Sequence, residues 1–249
     1  MGQTPNKKTA KNQEPKQDSN RPFISLRGHE KASVKQKSIN TPRILYLATQ
    51  NEHKVLEFQA LIGASWDVRS AAKLEAESGQ KISWEETGKT FASNSRIKAL
   101  VLRELTNAAV LADDSGLVVD ALNGAPGIYS SRFADSPPGT PRQIADRANT
   151  DKLLAELSEV PDKQRTARFI CCLVFIDELG HESVIEGTCE GRIARSPSGG
   201  HGFGYDPVFF VASHACTMAE LPDAEKNRIS HRAAAVAKFK LAQRGTDSH

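Results

Sequence analysis

Hydrophobic positions fall into short blocks from residue 43 onward, and the blocks alternate between strand-like runs and helical spacing. Arg43–Ala48 (RILYLA) predicts a buried strand, followed by Thr49-Gln50-Asn51 and a helix over about Glu52–Leu61. Trp66–Ser70 is a weaker strand. Gly88-Lys89-Thr90 opens a long helix over about Phe91–Leu105, in which Ile97, Val101 and Leu105 recur every four residues. Ala109–Ala112 (AVLA) is a short strand running into Asp113-Asp114-Ser115-Gly116, and Leu117–Leu122 predicts a second strand beyond it. A Pro/Gly loop covers Asn123–Pro141, with a helix after it to about Leu157. Phe169–Ile176 (FICCLVFI) is apolar throughout, as expected of a strand covered on both faces. Ser183–Gly187 and Glu190–Arg195 predict further strands, and Ser196–Gly204 a glycine-rich loop. Val208–Val211 predicts a short strand and Ser230–Gln243 an Ala-rich closing helix. Helices and strands alternate first and strands cluster later, which predicts a mixed α/β sheet in one domain over residues 43–249.

Residues 1–42 break the pattern. They are rich in Lys, Gln, Asn, Ser and Pro, and such a segment cannot offset its ordering entropy by burial, so it is predicted to be a disordered tail. A nucleic-acid-binding arm or an organelle presequence is the alternative for it. Charge sharpens the division. Residues 1–43 carry ten Lys and Arg against three acids, a surplus of seven, so the rest of a chain with formal charge +3 carries −4. The basic balance therefore belongs to the tail, and the domain needs no nucleic-acid partner. Cys171, Cys172, Cys189 and Cys216 show no zinc-type spacing and read as buried thiols in a reducing cytoplasm. No apolar run approaches the roughly 20 residues that span a bilayer, so no membrane association is expected.

Five segments carry candidate chemistry. Thr49-Gln50-Asn51-Glu52-His53-Lys54 lies at a strand-to-helix junction, where free N–H groups and the positive dipole end suit a phosphate. Thr49 and Asn51 can add hydrogen bonds and Lys54 adds charge, although an ordinary N-cap explains the same residues. Ala112-Asp113-Asp114-Ser115-Gly116 puts two carboxylates at a strand end, which is costly unless a cation compensates. Strand alternation turns only one of them to the site, and Gly116 permits a tight turn. An aspartic-protease reading of Asp-Ser-Gly fails because the motif occurs once among long helices. Glu85-Glu86-Thr87-Gly88 is a solvated acidic turn in isolation, but Glu86 with Asp114 could supply the carboxylates that Mg²⁺ takes alongside substrate phosphates. Ser198–Pro207 interleaves Phe203, Gly204, Tyr205 and Asp206, as a base-stacking loop or as a structural turn with Phe203 in the core. In Lys226–Arg232, Ser230 is a natural N-cap, which leaves His231 and Arg232 in a first turn whose dipole they oppose. That conflict suggests a role facing a ligand.

In this order and spacing, T-x-N-x-x-K, EETGKTF, LADDSGL with GAPGIYSSRFA, GGHGFGYDPVFF and EKNRISHR resemble the inosine triphosphate pyrophosphatase family, the RdgB/HAM1-type non-canonical purine NTP pyrophosphatases. The resemblance runs from about Arg43 to Gln243. It implies a long mixed β-sheet flanked by helices in two lobes, with a nucleotide cleft between them, and a homodimer. It further implies Mg²⁺-dependent hydrolysis of ITP, dITP and XTP to monophosphate and pyrophosphate. By the same resemblance Thr49–Lys54 would bind the triphosphate, Glu86 and Asp114 would hold Mg²⁺ with Asp114 as general base, and Ser115 would contact substrate. Phe203, Gly204, Tyr205, Asp206, Lys226, His231 and Arg232 would form the nucleoside pocket.

The sequence departs from the family pattern at two places. Gln50 stands where the family has Gly. Ser93 stands where T-F-x-E-N-A has Glu, and it is expected to be too short to close a capping box with Thr90. Asn94 and Lys98 are retained, one turn apart on one helix face. Two other readings remain open at this level. One is a Maf-like nucleotide pyrophosphatase of different base preference, and the other a nucleotide-binding module acting through its tail.

Overall fold

The computed structural model describes residues 42–246, so the tail expected over residues 1–42 lies almost wholly outside the described residues. The first strand, β1 (Arg43–Ala48), and the helix after it, α1 (Glu52–Ile62), form as their patterns predict. Asn51 caps α1, its side-chain oxygen accepting from the N–H groups of His53 and Lys54. β2 (Trp66–Ser70) is followed by α2 (Ala71–Ser78), a helix the hydrophobic pattern does not predict. Its apolar face is only Ala71 and Leu74, too little for a periodic signal, and Ser70 starts it by accepting from the N–H of Lys73.

α3 (Phe91–Leu105) begins at Thr90 with a capping box, contrary to expectation. Ser93 Oγ accepts from the Thr90 N–H at 3.0 Å, and the Ser93 N–H donates to Thr90 Oγ1 at 3.1 Å. The short serine succeeds because Thr90 is fully extended (φ −140°), which brings its N–H back over the first turn. No glutamate is needed for the cap.

β3 (Ala109–Val119) corrects a second expectation. It is one unbroken strand through Asp113-Asp114-Ser115-Gly116 rather than two strands joined by a turn. Gly116 serves close approach instead, since a Cβ there would overlap the Gly127 carbonyl and lie 2.6 Å from Ser130 Oγ. After short 3₁₀ segments over Asp120–Leu122 and Gly127–Arg132 come α4 (Arg142–Glu156) and β4 (Thr166–Ile176). β5 (Glu182–Ile193) is likewise continuous, where two strands were expected. Its break in apolar pattern at Gly187 marks a close pass of α6 rather than a turn, because a Cβ there would strike the backbone of His231 and Ala235. β6 (Phe209–Val211), β7 (Cys216–Thr217), α5 (Asp223–Ile229) and α6 (His231–Thr246) complete the chain. α5 is also unpredicted, being seven residues long and mostly polar.

The seven strands form one mixed sheet in the order β2-β1-β3-β4-β5-β6-β7. β1 is parallel to β2 and β3, and the remaining pairs are antiparallel. Three apolar clusters divide the sheet into two lobes. In the first lobe, α1 and α6 cover one face through Phe58, Ile62, Val236 and Phe239. On the opposite face α2 and α3 pack through Leu74, Ala99 and Leu102. In the second lobe, Leu117, Phe169, Ile193 and Phe209 pack with Leu153 and Leu157 around α4. Asp113 and Asp114 fall on β3 between these lobes, opposite Leu173 and Cys172 of β4.

Candidate active site

A cleft of about 1120 Å³ opens where the lobes meet, lined by all five sequence segments. The strand alternation of Asp113 and Asp114 holds, yet both border the cleft, which corrects the expectation that only one would. Each faces a different set of cations.

Asp114 points toward α3. Lys98 Nζ lies 3.2 Å from its Oδ1 and 2.8 Å from Glu86 Oε1, and Asn94 Nδ2 donates to Asp114 Oδ2 at 3.3 Å. Asn94 Oδ1 in turn accepts from the Gly88 N–H at 2.8 Å, which holds the Glu86 turn against the helix. Burial raises the Asp114 carboxyl above its ordinary value, against the pull of Lys98. Glu86 is also raised by burial, but Lys98 and Arg132 outweigh that and leave it below its ordinary value. Two carboxylates thus converge on one ammonium. Their hard oxygen donors fit Mg²⁺, which commonly takes one or two carboxylates and fills its remaining positions with water and phosphate. Among the described residues no group of three or more His, Cys, Asp and Glu gathers to cage a metal alone.

Asp113 points the other way and is fully buried. Lys54 Nζ lies 2.6 Å from its Oδ2, and Arg232 Nε lies 3.6 Å away. Burial would raise this carboxyl, but Lys54 and Arg232 hold it far below the usual carboxylate range. Ser115 donates its hydroxyl to Asp113 Oδ1. Arg232 continues the chain by donating to Glu57 Oε2 at 3.0 Å, and Ser230 reaches Glu57 Oε1 at 3.4 Å. Lys54, Asp113, Arg232 and Glu57 therefore form one buried ionic chain from the first turn of α1 to α6.

That chain revises what the sequence predicts for Lys226–Arg232. Ser230 does cap α6, accepting from the Ala233 N–H at 3.1 Å. Arg232 tolerates the dipole because two carboxylates face it, while its Nε has no hydrogen-bond partner among the described residues. His231 is buried, stacks on Phe169 with ring centroids 4.9 Å apart, and leaves Nδ1 without a partner among the described residues. Burial and then the charge of Arg232 push its imidazole well below the ordinary range, so it is neutral.

The glycine-rich loop holds Phe203 half-buried at the cleft wall rather than in the core. Asp206 is buried, and its Oδ2 accepts from the Phe203 N–H at 2.8 Å and from Lys226 Nζ at 2.7 Å. The two cations also flank the ring, with Lys226 Nζ 4.6 Å and Arg232 Cζ 5.4 Å from its centroid. Tyr205 is buried where it borders the cleft, and its hydroxyl donates to the Ser130 carbonyl at 2.9 Å. Gly204 is fixed from outside, its N–H donating to Asp146 Oδ2 of α4 at 3.1 Å.

In the Thr49–Lys54 segment, Thr49 Oγ1 accepts from the Asn51 N–H at 3.2 Å. Gln50 Nε2 donates to the Ile82 carbonyl at 3.3 Å, fastening the turn to the irregular stretch before Glu86. Glu52 and His53 are exposed on the first turn of α1. Sequence reasoning missed Glu57 and Asp146. Glu57 had a signal, because it occupies the same buried face of α1 as Phe58 and Ile62. Asp146 had none beyond an i,i+4 pairing with Arg142.

Comparison with known proteins agrees with this architecture. A model of the Ham1 family matches residues 45–242. A dITP/XTP pyrophosphatase of Halalkalibacterium halodurans is 46% identical over 187 residues, covering 75% of this chain and 91% of that protein. One from Pseudomonas aeruginosa is 45% identical over 198 residues, covering 79% and 94%. Among solved structures, the Staphylococcus aureus Ham1 protein superposes with a TM-score of 0.71 at 35% identity, over 82% of this chain and 100% of that one. A HAM1 protein from Coxiella burnetii gives 0.70 at 37% identity, over 82% and 99%. This chain belongs to the Ham1 family.

Proposed function

We propose that the protein hydrolyses non-canonical purine nucleoside triphosphates, ITP, dITP and XTP, to the monophosphate and pyrophosphate, and so removes damaged nucleotides from the pool. The observation that carries the reading is the convergence of Glu86 and Asp114 on one cation, in a cleft whose other wall presents Phe203. The names of the relatives, dITP/XTP pyrophosphatases, support the substrate class.

Glu86 and Asp114 would hold Mg²⁺, which when bound neutralises phosphate charge. Lys54 and the first turn of α1 meet the triphosphate, and the partly neutralised site lets a water approach the α-phosphorus. Asp114 orients that water and accepts its proton. Phe203 stacks on the base. Arg232 and backbone N–H groups of the loop donate to the carbonyl at the six-position of hypoxanthine or xanthine. Adenine presents an amino group there, which would leave a buried donor unpaired.

The proposed assembly is a homodimer and the proposed compartment the cytoplasm, which suits four cysteines that remain thiols in the fold. Among the described residues no helix is long and apolar enough to cross a membrane.

The test is pyrophosphate release from ITP, XTP, GTP, ATP, dTTP and UTP, with Mg²⁺ and with a chelator. We expect kcat/KM for ITP and XTP to exceed that for ATP by about 100-fold or more, and all turnover to stop with the chelator. Equal rates on ITP, GTP and ATP would remove the house-cleaning role. A preference for dTTP or UTP would favour the Maf-like reading instead.

A further inference from the structure

His53 belongs by sequence to the Thr49–Lys54 segment, and its ring turns toward Phe203. It lies against Phe203 across the cleft, with ring centroids 5.7 Å apart and planes inclined by 29°. His53 comes from the first lobe, on the first turn of α1, and Phe203 from the loop that Asp206, Lys226 and Asp146 hold in place. The imidazole is exposed and has no hydrogen-bond partner among the described residues. The two cations beside Phe203 are not free in this way, since Asp206 anchors Lys226 at 2.7 Å and Glu57 anchors Arg232 at 3.0 Å. One neighbour of the Phe203 ring is therefore exposed and aromatic, and the other two are anchored and charged.

We infer that His53 is the second jaw of a base clamp, so that the purine slots between the His53 and Phe203 rings. The inference rests on the nucleotide reading above and assigns one more residue to base recognition. The two rings already stand at stacking distance, as an empty clamp closed on itself does. A base between two parallel rings needs two stacking intervals of about 3.4 Å, the spacing of successive bases along a strand. At 5.7 Å between centroids the two rings are stacked on each other, so His53 must swing aside to admit a base. An exposed side chain at a helix start can supply that opening through its own χ angles, without moving the lobes. Stacking on both faces rewards a two-ring base over a one-ring base, because more π-surface is covered. His53 would thus contribute to purine preference, while the donors near Arg232 choose among purines.

The experiment measures binding of inosine monophosphate, uridine monophosphate and inorganic tripolyphosphate by calorimetry to the full chain. The wild type is compared with His53→Ala and His53→Phe, each checked for an unchanged melting temperature. We expect His53→Ala to weaken inosine monophosphate about tenfold, to weaken uridine monophosphate less, and to leave tripolyphosphate within about twofold of wild type. His53→Phe should restore inosine monophosphate binding, which a charge or hydrogen-bond role would not allow. Equal loss of tripolyphosphate and inosine monophosphate would return His53 to the phosphate subsite and overturn the clamp, as would no loss at all. Failure of the wild type to bind either nucleotide would instead overturn the nucleotide reading, a result visible before any variant is examined.

Discussion

Asp114→Asn is expected to lower kcat for ITP by about a thousandfold or more, with a melting temperature equal to or above that of wild type. The loss combines two roles, since the amide neither accepts the water's proton nor offers a full charge to the metal. Stability moves the other way for a reason visible in the fold. Burial raises the Asp114 carboxyl above its ordinary value, so folding disfavours its charged form. An asparagine has the same shape and removes that charge. It can still accept from Asn94, and Lys98 keeps Glu86 at 2.8 Å. Steady-state release of pyrophosphate and a thermal melt on the same preparation check both halves. Near-wild-type turnover would remove Asp114 from the chemistry, whereas a collapsed melt would make its role structural.

Arg232→Met should do the opposite and strike stability hard. Arg232 is 4% exposed, and its guanidinium faces Glu57 at 3.0 Å and Asp113 at 3.6 Å. Removing one partner of a buried ion pair leaves an uncompensated charge at a cost of about 3–5 kcal/mol. Glu57 would lose its cation, while Asp113 would keep Lys54 at 2.6 Å. At roughly 2–4 °C per kcal/mol for a domain of this size, the melting temperature should fall by about 10 °C. Adding Glu57→Gln to the same chain should recover part of the loss, because the orphaned charge goes with it. A melt unchanged by Arg232→Met would mean that the network contributes little to folding and that Arg232 is retained for substrate alone.

Strands β1, β2 and β4 and helices α1 and α3 were legible because each buries a continuous apolar run or a regular stripe. The joins were less legible. Gly116 and Gly187 resemble turn residues in sequence, yet both sit within long strands where another backbone passes too close for a Cβ. Sequence records the small residue but not which of the two constraints demands it. Ser93 failed for a related reason, since the reach of a cap depends on the conformation of Thr90, and residue type alone does not report it. α2 and α5 are short and polar-rich, so the tertiary fold rather than a periodic face defines them.

The site was legible as segments and illegible as a network. The pairing of Glu86 with Asp114 could be proposed from chemistry, because two carboxylates and a phosphate ligand suggest a hard cation. The pairing of Lys54 with Asp113, and of Arg232 with Glu57, could not. Each joins residues distant in sequence, and residue type alone does not say which cation meets which carboxylate. Only the placement of Glu57 on the apolar face of α1 hinted that it is buried.

The most direct test of the account is the fate of the attacking oxygen when ITP is turned over with Mg²⁺ in water enriched in oxygen-18. Water directed at the α-phosphorus predicts two products only, inosine monophosphate carrying one heavy oxygen and pyrophosphate carrying none. Label in pyrophosphate, or release of inosine diphosphate with orthophosphate, would place the attack elsewhere on the chain and contradict the roles given to Asp114, Glu86 and Lys54.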